Sequence, residues 1–235
     1  MPAGGILVAR WLGRVDYQEA WDRQAAQVRA RREGGVGDEL LLLEHPHTYT
    51  VGRGGTLDHI LVDSEALARL GATVYQVDRG GDVTYHGPGQ LVGYPIVEVR
   101  SRSIDAHTYL RKLEETIIRA LAEYGVRAGR YPAYTGVWLG EEKVAAIGVK
   151  ISSGGITSHG FALNVNTDVS YFGHIIPCGI RDKGLSSLAR LLGRPVAMLE
   201  VAEVVARHFA GEFGLTLQAD PSLPQPIFAR EGESL

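Results

Sequence analysis

The sequence predicts one α+β domain in which helices flank a mixed, partly antiparallel sheet. Strand-like segments cluster in the middle of the chain, whereas helix-like periodicity occurs at its front, centre and back. The 235 residues are 45% hydrophobic, enough for one large core, and no change in composition divides the chain. We therefore assign residues 1–219 to a single domain and residues 220–235, which begin with a proline-rich run, to an extended C-terminal tail.

Charge and cysteine content exclude several classes of protein. The net charge of −3 argues against a surface that binds nucleic acid or an anionic membrane. The N-terminus lacks the pattern of a signal peptide, and apolar runs such as residues 40–43 are too short to span a bilayer. Cys178 is the only cysteine, which excludes an intramolecular disulfide and a cysteine-rich zinc site. These features predict a protein of the reducing cytoplasm.

In the first half of the chain, capped helices alternate with strands. Asp16, with Glu19 three residues later, forms a capping box, and the helix that it starts ends before Gly34. Asp63 starts a short second helix, which Gly71 ends. Apolar runs of strand length predict strands over residues 6–12, 39–44, 72–77 and 91–99.

The second half opens with the clearest helix of the chain. Asp105 caps it, apolar residues recur at helical spacing from Ala106 to Tyr124, and Gly125 ends it. We expect the charged residues between them, including Glu114, to lie largely on its solvent face. Alternating patterns predict strands over residues 136–139, 144–149 and 155–166, and apolar periodicity predicts helices over residues 185–192 and 198–213.

Residues 79–95 form a glycine-rich stretch with five glycines and two prolines, a composition that excludes a helix. Polar and titratable residues are interspersed with the glycines, namely Arg79, Thr84, Tyr85, His86 and Gln90. This pattern predicts a pocket wall in which backbone amides face a ligand and a few side chains orient it. The alternative is a glycine-rich hairpin that buries a histidine.

Cys178 lies between Pro177 and Gly179, in a turn that can expose its sulfur. A buried, inert thiol is the commoner state of a lone cysteine. A reactive thiol, whose ordinary pKa is about 8.5, needs a nearby cation or base, and Lys143 and His86 are the candidates. A solvated hairpin lysine and a packed histidine are the alternative interpretations. From the residues alone, a cysteine acyl-transfer or hydrolytic site is the hypothesis.

The sequence predicts no metal and no cofactor. His45 and His47 alternate as in a strand, but no third ligand is near them, so structural or pocket-lining roles are expected. The phosphate-binding patterns Gly-x4-Gly-Lys-Ser/Thr and Gly-x-Gly-x-x-Gly are both absent from the sequence.

Five motifs, in order, resemble the lipoyl(octanoyl) transferase family. They are Leu43-Glu-His-Pro46 with Tyr49-Thr-x-Gly-Arg53, Arg79-Gly-Gly-x-Val-Thr-Tyr-His-Gly-Pro-Gly-Gln-Leu-Val-x-Tyr-Pro95, Lys143-Val-Ala-Ala-Ile-Gly148, His159-Gly-Phe-Ala-Leu-Asn164 and Ile176-Pro-Cys-Gly-Ile180. The resemblance covers nearly the whole chain, from Leu12 to about Leu192. It implies the fold of the catalytic domain of biotin and lipoate protein ligases, and an acyltransferase of lipoate biosynthesis.

The resemblance also implies roles and partners. It implies that Cys178 takes octanoyl from octanoyl-acyl carrier protein as a thioester, and that Lys143 lies beside Cys178 and lowers its pKa. It implies that the acceptors are lipoyl domains of 2-oxoacid dehydrogenase E2 subunits and the glycine cleavage H protein. The substrate contacts that it implies are Arg79, Gly80, Gly81, Asp82, Val83, Thr84, Tyr85, His86, Ala146, Ile147, Gly148, Gly160, Phe161 and Ala162.

Three alternatives remain open at this point. An ATP-dependent lipoate or biotin protein ligase of the same fold would activate a free acid and would need no nucleophilic cysteine. A non-catalytic acyl-binding protein would bind the acyl chain without turnover. A cysteine hydrolase would release free octanoate even when an acceptor domain is present.

Overall fold

The computed structural model describes residues 5–177 and 183–219. Its helices are α1 (Tyr17–Arg32), α2 (Ser64–Arg69), α3 (Ala106–Glu123), α4 (Leu188–Leu192) and α5 (Met198–Phe213), with short 3-10 helices at Leu57–His59 and Val169–His174. Its strands are β1 (Ile6–Arg14), β2 (Asp38–Glu44), β3 (Thr48–Val51), β4 (Thr73–Gln76), β5 (Val83–His86), β6 (Gln90–Ile96), β7 (Gly129–Tyr131), β8 (Tyr134–Leu139), β9 (Glu142–Ile151), β10 (Thr157–Asn164), β11 (Gly184–Leu185) and β12 (Thr216–Ala219).

Within these ranges, nine strands form one main sheet in the order β12-β1-β2-β6-β10-β9-β8-β7, and β11 pairs with β9. Strand β1 runs parallel to both β12 and β2. The successive pairs from β2 to β7 are antiparallel, and β11 runs parallel to β9. The mixed, partly antiparallel sheet that the sequence predicts is therefore confirmed.

The other three strands form a small sheet in the order β4-β3-β5, which holds the glycine-rich stretch against the main sheet. The N–H of Gly80, just before β5, donates to the carbonyl of Val149 in β9 at 2.9 Å. The small sheet has its own apolar core, formed by Tyr49, Val51, Val83, Tyr85, Phe172 and Ile175.

The main sheet is covered on both faces. Leu40 and Leu42 of β2 pack in the largest core cluster with side chains of α3 and α5, and we call this side the helix face. Leu41 and Leu43 point the other way and pack with Ala20 of α1, and we call this side, which also faces the small sheet, the cavity face. The sequence predicted helices mainly on one face. The long helices α3 and α5 lie together there, whereas α1 covers the opposite face.

The helix starts follow the sequence prediction. The side chains of Asp16 and Asp105 accept backbone N–H bonds from the first turns of α1 and α3. The helix predicted over residues 185–192 is shorter, because Leu185 pairs with β9 and the helix starts only after Ser187, whose hydroxyl caps α4.

The expectation that Glu114 lies on the solvent face of α3 is wrong, because its side chain is 0% exposed. The guanidinium groups of Arg111 and Arg130 donate to Oε2 at 2.6 and 3.0 Å, and the N–H of Gly136 donates to Oε1 at 3.1 Å. A buried carboxylate is tolerated when it is paired and hydrogen-bonded in this way. Glu114 therefore ties α3 to strand β8.

None of the helices in residues 5–177 and 183–219 is long and apolar enough to cross a membrane. The same residues hold no group of three or more histidine, cysteine, aspartate or glutamate side chains placed to bind a metal ion. The predicted tail, residues 220–235, lies outside the described residues and stays a prediction.

Candidate active site

A cavity of about 50 Å³ lies between the glycine-rich stretch and the cavity face of the main sheet. All three segments that the resemblance implies as substrate contacts meet here, namely the glycine-rich stretch, β9 and β10. The residues that line it are Tyr17, Arg79, Gly81, Thr84, His86, Tyr94, Ala146, Ile147, Gly148, His159, Gly160, Phe161 and Ala162. The structure thus brings together most of the substrate-contacting residues that the resemblance implies.

Two glycines allow the backbones around this cavity to approach closely. Gly148 and Gly160 are paired across β9 and β10. A Cβ atom on Gly160 would lie 2.1 Å from the carbonyl oxygen of Gly93, and one on Gly148 would lie 2.9 Å from that of Gly80. Any side chain at these positions would push the strands or the glycine-rich stretch apart.

Four of the implied contacts do not line the cavity. Val83 and Tyr85 alternate with Thr84 and His86 along β5, so they point into the core of the small sheet. The carboxylate of Asp82 accepts from Nδ1 of His59 at 2.6 Å. Gly80 contributes its backbone to the contact with β9 instead.

A chain of hydrogen bonds fixes the tautomer of His86. The amide nitrogen of Gln90 donates to the carbonyl of Tyr85 at 3.1 Å and to Oδ1 of Asn164 at 3.0 Å, so its Oε1 is left to accept from Nδ1–H of His86 at 2.9 Å. Asn164 in turn donates to the carbonyl of Ser186 at 3.1 Å. Nε2 of His86 is therefore the unprotonated nitrogen.

Burial lowers the pKa of His86 well below its ordinary value, and the neighbouring His45 lowers it further. The imidazole is consequently neutral throughout the physiological pH range and can act as a hydrogen-bond acceptor. This environment does not supply a cation that would activate a thiol, which was one of the roles considered for His86.

His45 takes part in a second buried chain beside the cavity. Its Nδ1–H donates to the carbonyl of Val15 at 2.7 Å, and its Nε2 therefore accepts from the hydroxyl of Tyr94 at 2.8 Å. Tyr94 also hydrogen-bonds to the hydroxyl of Tyr17, whose pKa burial raises to about 12. The prediction that His45 has a structural role is confirmed by these bonds.

His159 closes the cavity from β10 in an unusual conformation. Its φ is +54°, in the left-handed region that non-glycine residues rarely adopt. Its Nε2–H donates to Asp78 at 2.7 Å, and Asp78 also pairs with Lys150. Burial raises the pKa of Asp78, but the hydrogen bonds from Lys150 and His159 outweigh burial and place that pKa below its ordinary value.

Four further residues lie at the site although their sequence context did not assign them to it, namely Tyr17, Tyr94, Asp78 and His159. Tyr94 and His159 belong to two of the motifs, and Asp78 directly precedes one. Their position in or beside a motif could therefore have indicated them. Tyr17 comes from the first turn of α1, and only the packing of α1 on the cavity face brings it there.

Lys143 occupies a second, smaller cavity of about 20 Å³. This cavity shares Thr84, Ala146 and Ala162 with the first one, so the two are neighbours. The side chain of Lys143 is only 9% exposed, and its Nζ lies 4.8 Å from the ring centroid of Trp138. The alternative of a solvated hairpin lysine is therefore wrong.

An irregularity in β9 puts Lys143 on this side of the sheet. Val137 of β8 pairs with Ala145 of β9, but the next residue, Trp138, pairs with Lys143. Strand β9 therefore contains an extra residue, Val144, which forms a bulge. In a regular strand, residues 143 and 146 would point to opposite faces. With the bulge, Lys143 and Ala146 line the same cavity.

Cys178 lies outside the described residues, but both flanks of its segment are placed. Pro177, the residue before it, lines the same cavity as Lys143. After the gap, Leu185 pairs in register with Lys143, and the N–H of Ser186 donates to the Lys143 carbonyl at 3.0 Å.

The fold with this cavity is that of lipoate and biotin protein ligases. A lipoate-protein ligase A bound with ATP superposes with a TM-score of 0.71 at 18% identity, covering 92% of this chain and 88% of that chain. The biotin protein ligase of Aquifex aeolicus, in complex with biotin and ATP, gives a TM-score of 0.52 at 17% identity, covering 88% and 70%. The fold that the resemblance implied is thus confirmed.

The sequence matches the family described as "Lipoyl protein ligase A/B catalytic domain" over residues 16–210. It is 53% identical over 208 residues to an octanoyltransferase of Rubrobacter xylanophilus, covering 88% of this chain and 93% of that protein. It is 50% identical over 214 residues to an octanoyltransferase of Solibacter usitatus, covering 91% and 96%. The chain belongs to the lipoyl protein ligase A/B catalytic-domain family and, within it, to the octanoyltransferases, which are acyltransferase enzymes.

Proposed function

We propose that this protein transfers an octanoyl group from octanoyl-acyl carrier protein, through a thioester on Cys178, to the acceptor lysine of lipoyl domains. The acceptors that we propose are the lipoyl domains of 2-oxoacid dehydrogenase E2 subunits and the glycine cleavage H protein. The observation that carries the proposal is the position of Lys143, buried in a cavity that Pro177 also lines.

Chain geometry supports a contact between Lys143 and Cys178. Pro177, which lines the Lys143 cavity, precedes Cys178 directly, and consecutive Cα atoms are about 3.8 Å apart. The chain returns at Leu185, which is paired with Lys143 itself. Both ends of the segment that contains Cys178 are therefore held beside the lysine.

The first cavity, which we call the acyl cavity, has the lining that an acyl chain requires. Ala146 and Ala162 line this cavity with apolar side chains and continue the lining to Lys143, whereas the side chains of Ile147 and Phe161 pack in the main core cluster. An octanoyl group attached at Cys178 would run from the Lys143 cavity into the space between β5 and β10. Burial of its methylenes would contribute about 0.8 kcal/mol each.

In the first step, the Cys178 thiolate attacks the carbonyl carbon of the carrier thioester. A new S–C bond forms, the S–C bond to the carrier breaks, and the leaving thiolate takes a proton from the Lys143 ammonium. The ammonium group beside the sulfur favours the thiolate before attack, as an adjacent cation does for other reactive cysteines.

In the second step, the amine of the acceptor lysine attacks the Cys178 thioester. An N–C bond forms, the S–C bond breaks and the thiolate returns. The neutral amine of Lys143, left after the first step, takes the proton that the acceptor nitrogen loses. The cycle closes with the ammonium and thiolate restored, and the conversion of a thioester into an amide is downhill.

Intact-protein mass spectrometry after mixing with octanoyl-acyl carrier protein tests the proposal. We expect a single octanoyl increment that hydroxylamine removes and that passes to an added lipoyl domain. Cys178→Ser should show no increment that hydroxylamine removes, and Lys143→Ala should slow both steps by about a hundredfold or more, within the range for general acid–base groups. Lys112→Ala, which alters a lysine on α3 packed against Phe213, is the matched control.

Four results would contradict the proposal. Transfer without any increment would mean direct attack by the acceptor lysine, and Cys178 would lose its role. Octanoate released in the presence of a lipoyl domain would indicate the hydrolase instead. Binding without turnover would indicate the acyl-binding protein, and labelling that requires free acid and ATP would indicate the ligase.

A further inference from the structure

Lys143 and Trp138 form a buried pair across the β8–β9 hairpin. They are register partners at the bulge, and Nζ of Lys143 lies over the indole ring at 4.8 Å from its centroid. Trp138 is only 3% exposed. A cation within about 6 Å of a ring centroid is attracted by the electrons of the ring face, and tryptophan gives the strongest such interaction.

Neighbouring rings hold the indole in place. Tyr131, Tyr134 and Trp138 form an aromatic cluster in which the ring centroids of each pair lie 5.0–5.9 Å apart. Nζ of Lys183 lies 5.2 Å from the Tyr131 centroid, on the same cluster. The indole is therefore a packed surface with a fixed orientation toward Lys143.

The charged side chains nearest in the chain are engaged with other partners. The carboxylate of Glu141 pairs with Lys183 at 2.8 Å, and that of Glu142 pairs with Arg190 at 3.6 Å. The remaining described residues around the Lys143 cavity are not ionisable, namely Thr84, Gln90, Ala146, Ala162, Asn164, Phe172, Pro177 and Leu185. Residues 178–182, which include the ionisable residues Cys178, Arg181 and Asp182, lie outside the described residues.

An aromatic face and a carboxylate would affect the reaction differently. A buried carboxylate would hold the lysine as a permanent ammonium and compete for its N–H groups. A ring face favours the ammonium more weakly and accepts no proton itself, so the contact with Trp138 does not fix Lys143 in one protonation state. This is the property that the two proposed steps require.

We propose that Trp138 is a positioning residue for the transfer reaction, whose ring face holds the Lys143 ammonium at the mouth of the acyl cavity. The proposal rests on the proposed function for the catalytic role of Lys143. The contact between Trp138 and Lys143 can be tested without octanoyl transfer. The juxtaposition that carries it is the cross-strand pair at the bulge, with the indole held by two tyrosine rings.

The direct test is trace acetylation of the native protein with acetic anhydride over a range of pH, with Lys143 followed by peptide mass spectrometry. The plateau at high pH reports access to the amine, and the midpoint reports how strongly the ammonium form is favoured. We expect Trp138→Leu to lower the midpoint by about one pH unit, which is a tenfold change, and Trp138→Phe to lower it by less than half of that. Trp11→Leu, which removes an indole packed against the main core cluster, should leave the midpoint unchanged.

The transfer assay supplies the second measurement. With Trp138→Leu we expect kcat to fall about tenfold with little change in KM for the lipoyl domain, since the indole does not line the acyl cavity, and we expect Trp138→Phe to restore most of the rate. Equal midpoints in wild type and Trp138→Leu, or equal losses in the leucine and phenylalanine variants, would overturn the proposal and leave the indole as packing only. If wild type transfers no octanoyl while the midpoint still shifts, the proposed function fails and the ring–ammonium contact stands.

Discussion

The two faces of the main sheet are built from the same strands but carry different kinds of side chain. On the helix face, Leu91 of β6 and Leu163 of β10 pack with the apolar stripes of α3 and α5. Their neighbours in sequence, Gln90 and Asn164, point to the cavity face and hydrogen-bond to each other at 3.0 Å. Alternation along a strand thus separates an apolar face from a polar one within a single layer.

The difference shows where stability and where chemistry reside. The helix face is a continuous apolar core, which stabilises the fold through the apolar area that it removes from water. The cavity face buries histidines, an arginine, glutamine and asparagine, which make specific hydrogen bonds there. Such networks specify one geometry rather than adding much stability, because their bonds replace equally good bonds to water.

The largest effect is expected from a truncation on the helix face. Phe209 of α5 is fully buried and stacks on Phe213 with centroids 4.3 Å apart. Phe209→Ala should cost about 4 kcal/mol through lost apolar contact and the cavity left behind, which corresponds to roughly 10 °C in Tm for a chain of this length. Thermal unfolding monitored by circular dichroism measures it.

The same variant should retain the transfer rate of wild type per folded molecule at a temperature where it remains folded. A fall in kcat without a fall in Tm would contradict the division of roles between the two faces. Leu199→Ala on the same helix is the control, since Leu199 is 40% exposed and its truncation should change Tm little.

Local pattern in the sequence was sufficient for most elements of the fold. The capping aspartates Asp16 and Asp105 start α1 and α3, and the glycine-rich stretch forms a cavity wall. Glu114 could not be placed from its helix alone. Its burial depends on Arg130 and Gly136, which lie well beyond α3 in the chain, so the signal is long-range.

The segments that form the candidate site could be predicted from the sequence, but the positions and directions of their side chains could not. Tyr17 reaches the cavity only because α1 packs on that face, and Asp78 and His159 meet only through the approach of two strands and a loop. The bulge that directs Lys143 into its cavity depends on the pairing of β8 with β9, and nothing in the local pattern of residues 143–149 indicates it. Sequence motifs identified the residue types, and tertiary pairing determined their directions.

The second effect is the contribution of a buried histidine on the cavity face to the pH dependence of stability. Burial lowers the pKa of His45 from 6.5 to about 4. Below pH 6.5 the unfolded chain therefore binds a proton that the folded protein refuses until about pH 4. The contribution of His45 is fully present above its unfolded pKa and is lost as pH falls, by about 3 kcal/mol in all. Burial lowers the pKa of His86 as well, so this residue contributes in the same direction.

Chemical denaturation between about pH 7.5 and about pH 4.5 measures this loss. His45→Gln can still donate to Val15 and accept from Tyr94, so it should flatten the pH dependence. His107→Gln, at an exposed position of α3, should leave the slope as in wild type. Phe209→Ala should lower stability by the same amount at every pH, and a steeper slope in that variant would contradict the assignment of the effect to the cavity face.

The smallest expected effect is a change in the preference for acyl chain length, caused by a substitution on the cavity face. Ala162 is the residue of β10 that lines both the acyl cavity and the Lys143 cavity. Ala162→Leu adds three carbon atoms to a space that the proposal fills with methylenes, so hexanoyl should gain over octanoyl by about tenfold in relative kcat/KM. Competition between the two acyl carriers, read by mass spectrometry of the lipoyl domain, measures the ratio. Ala162→Ser, which adds one polar atom, should keep the preference for octanoyl, and an unchanged ratio in the leucine variant would mean that the acyl chain takes another path.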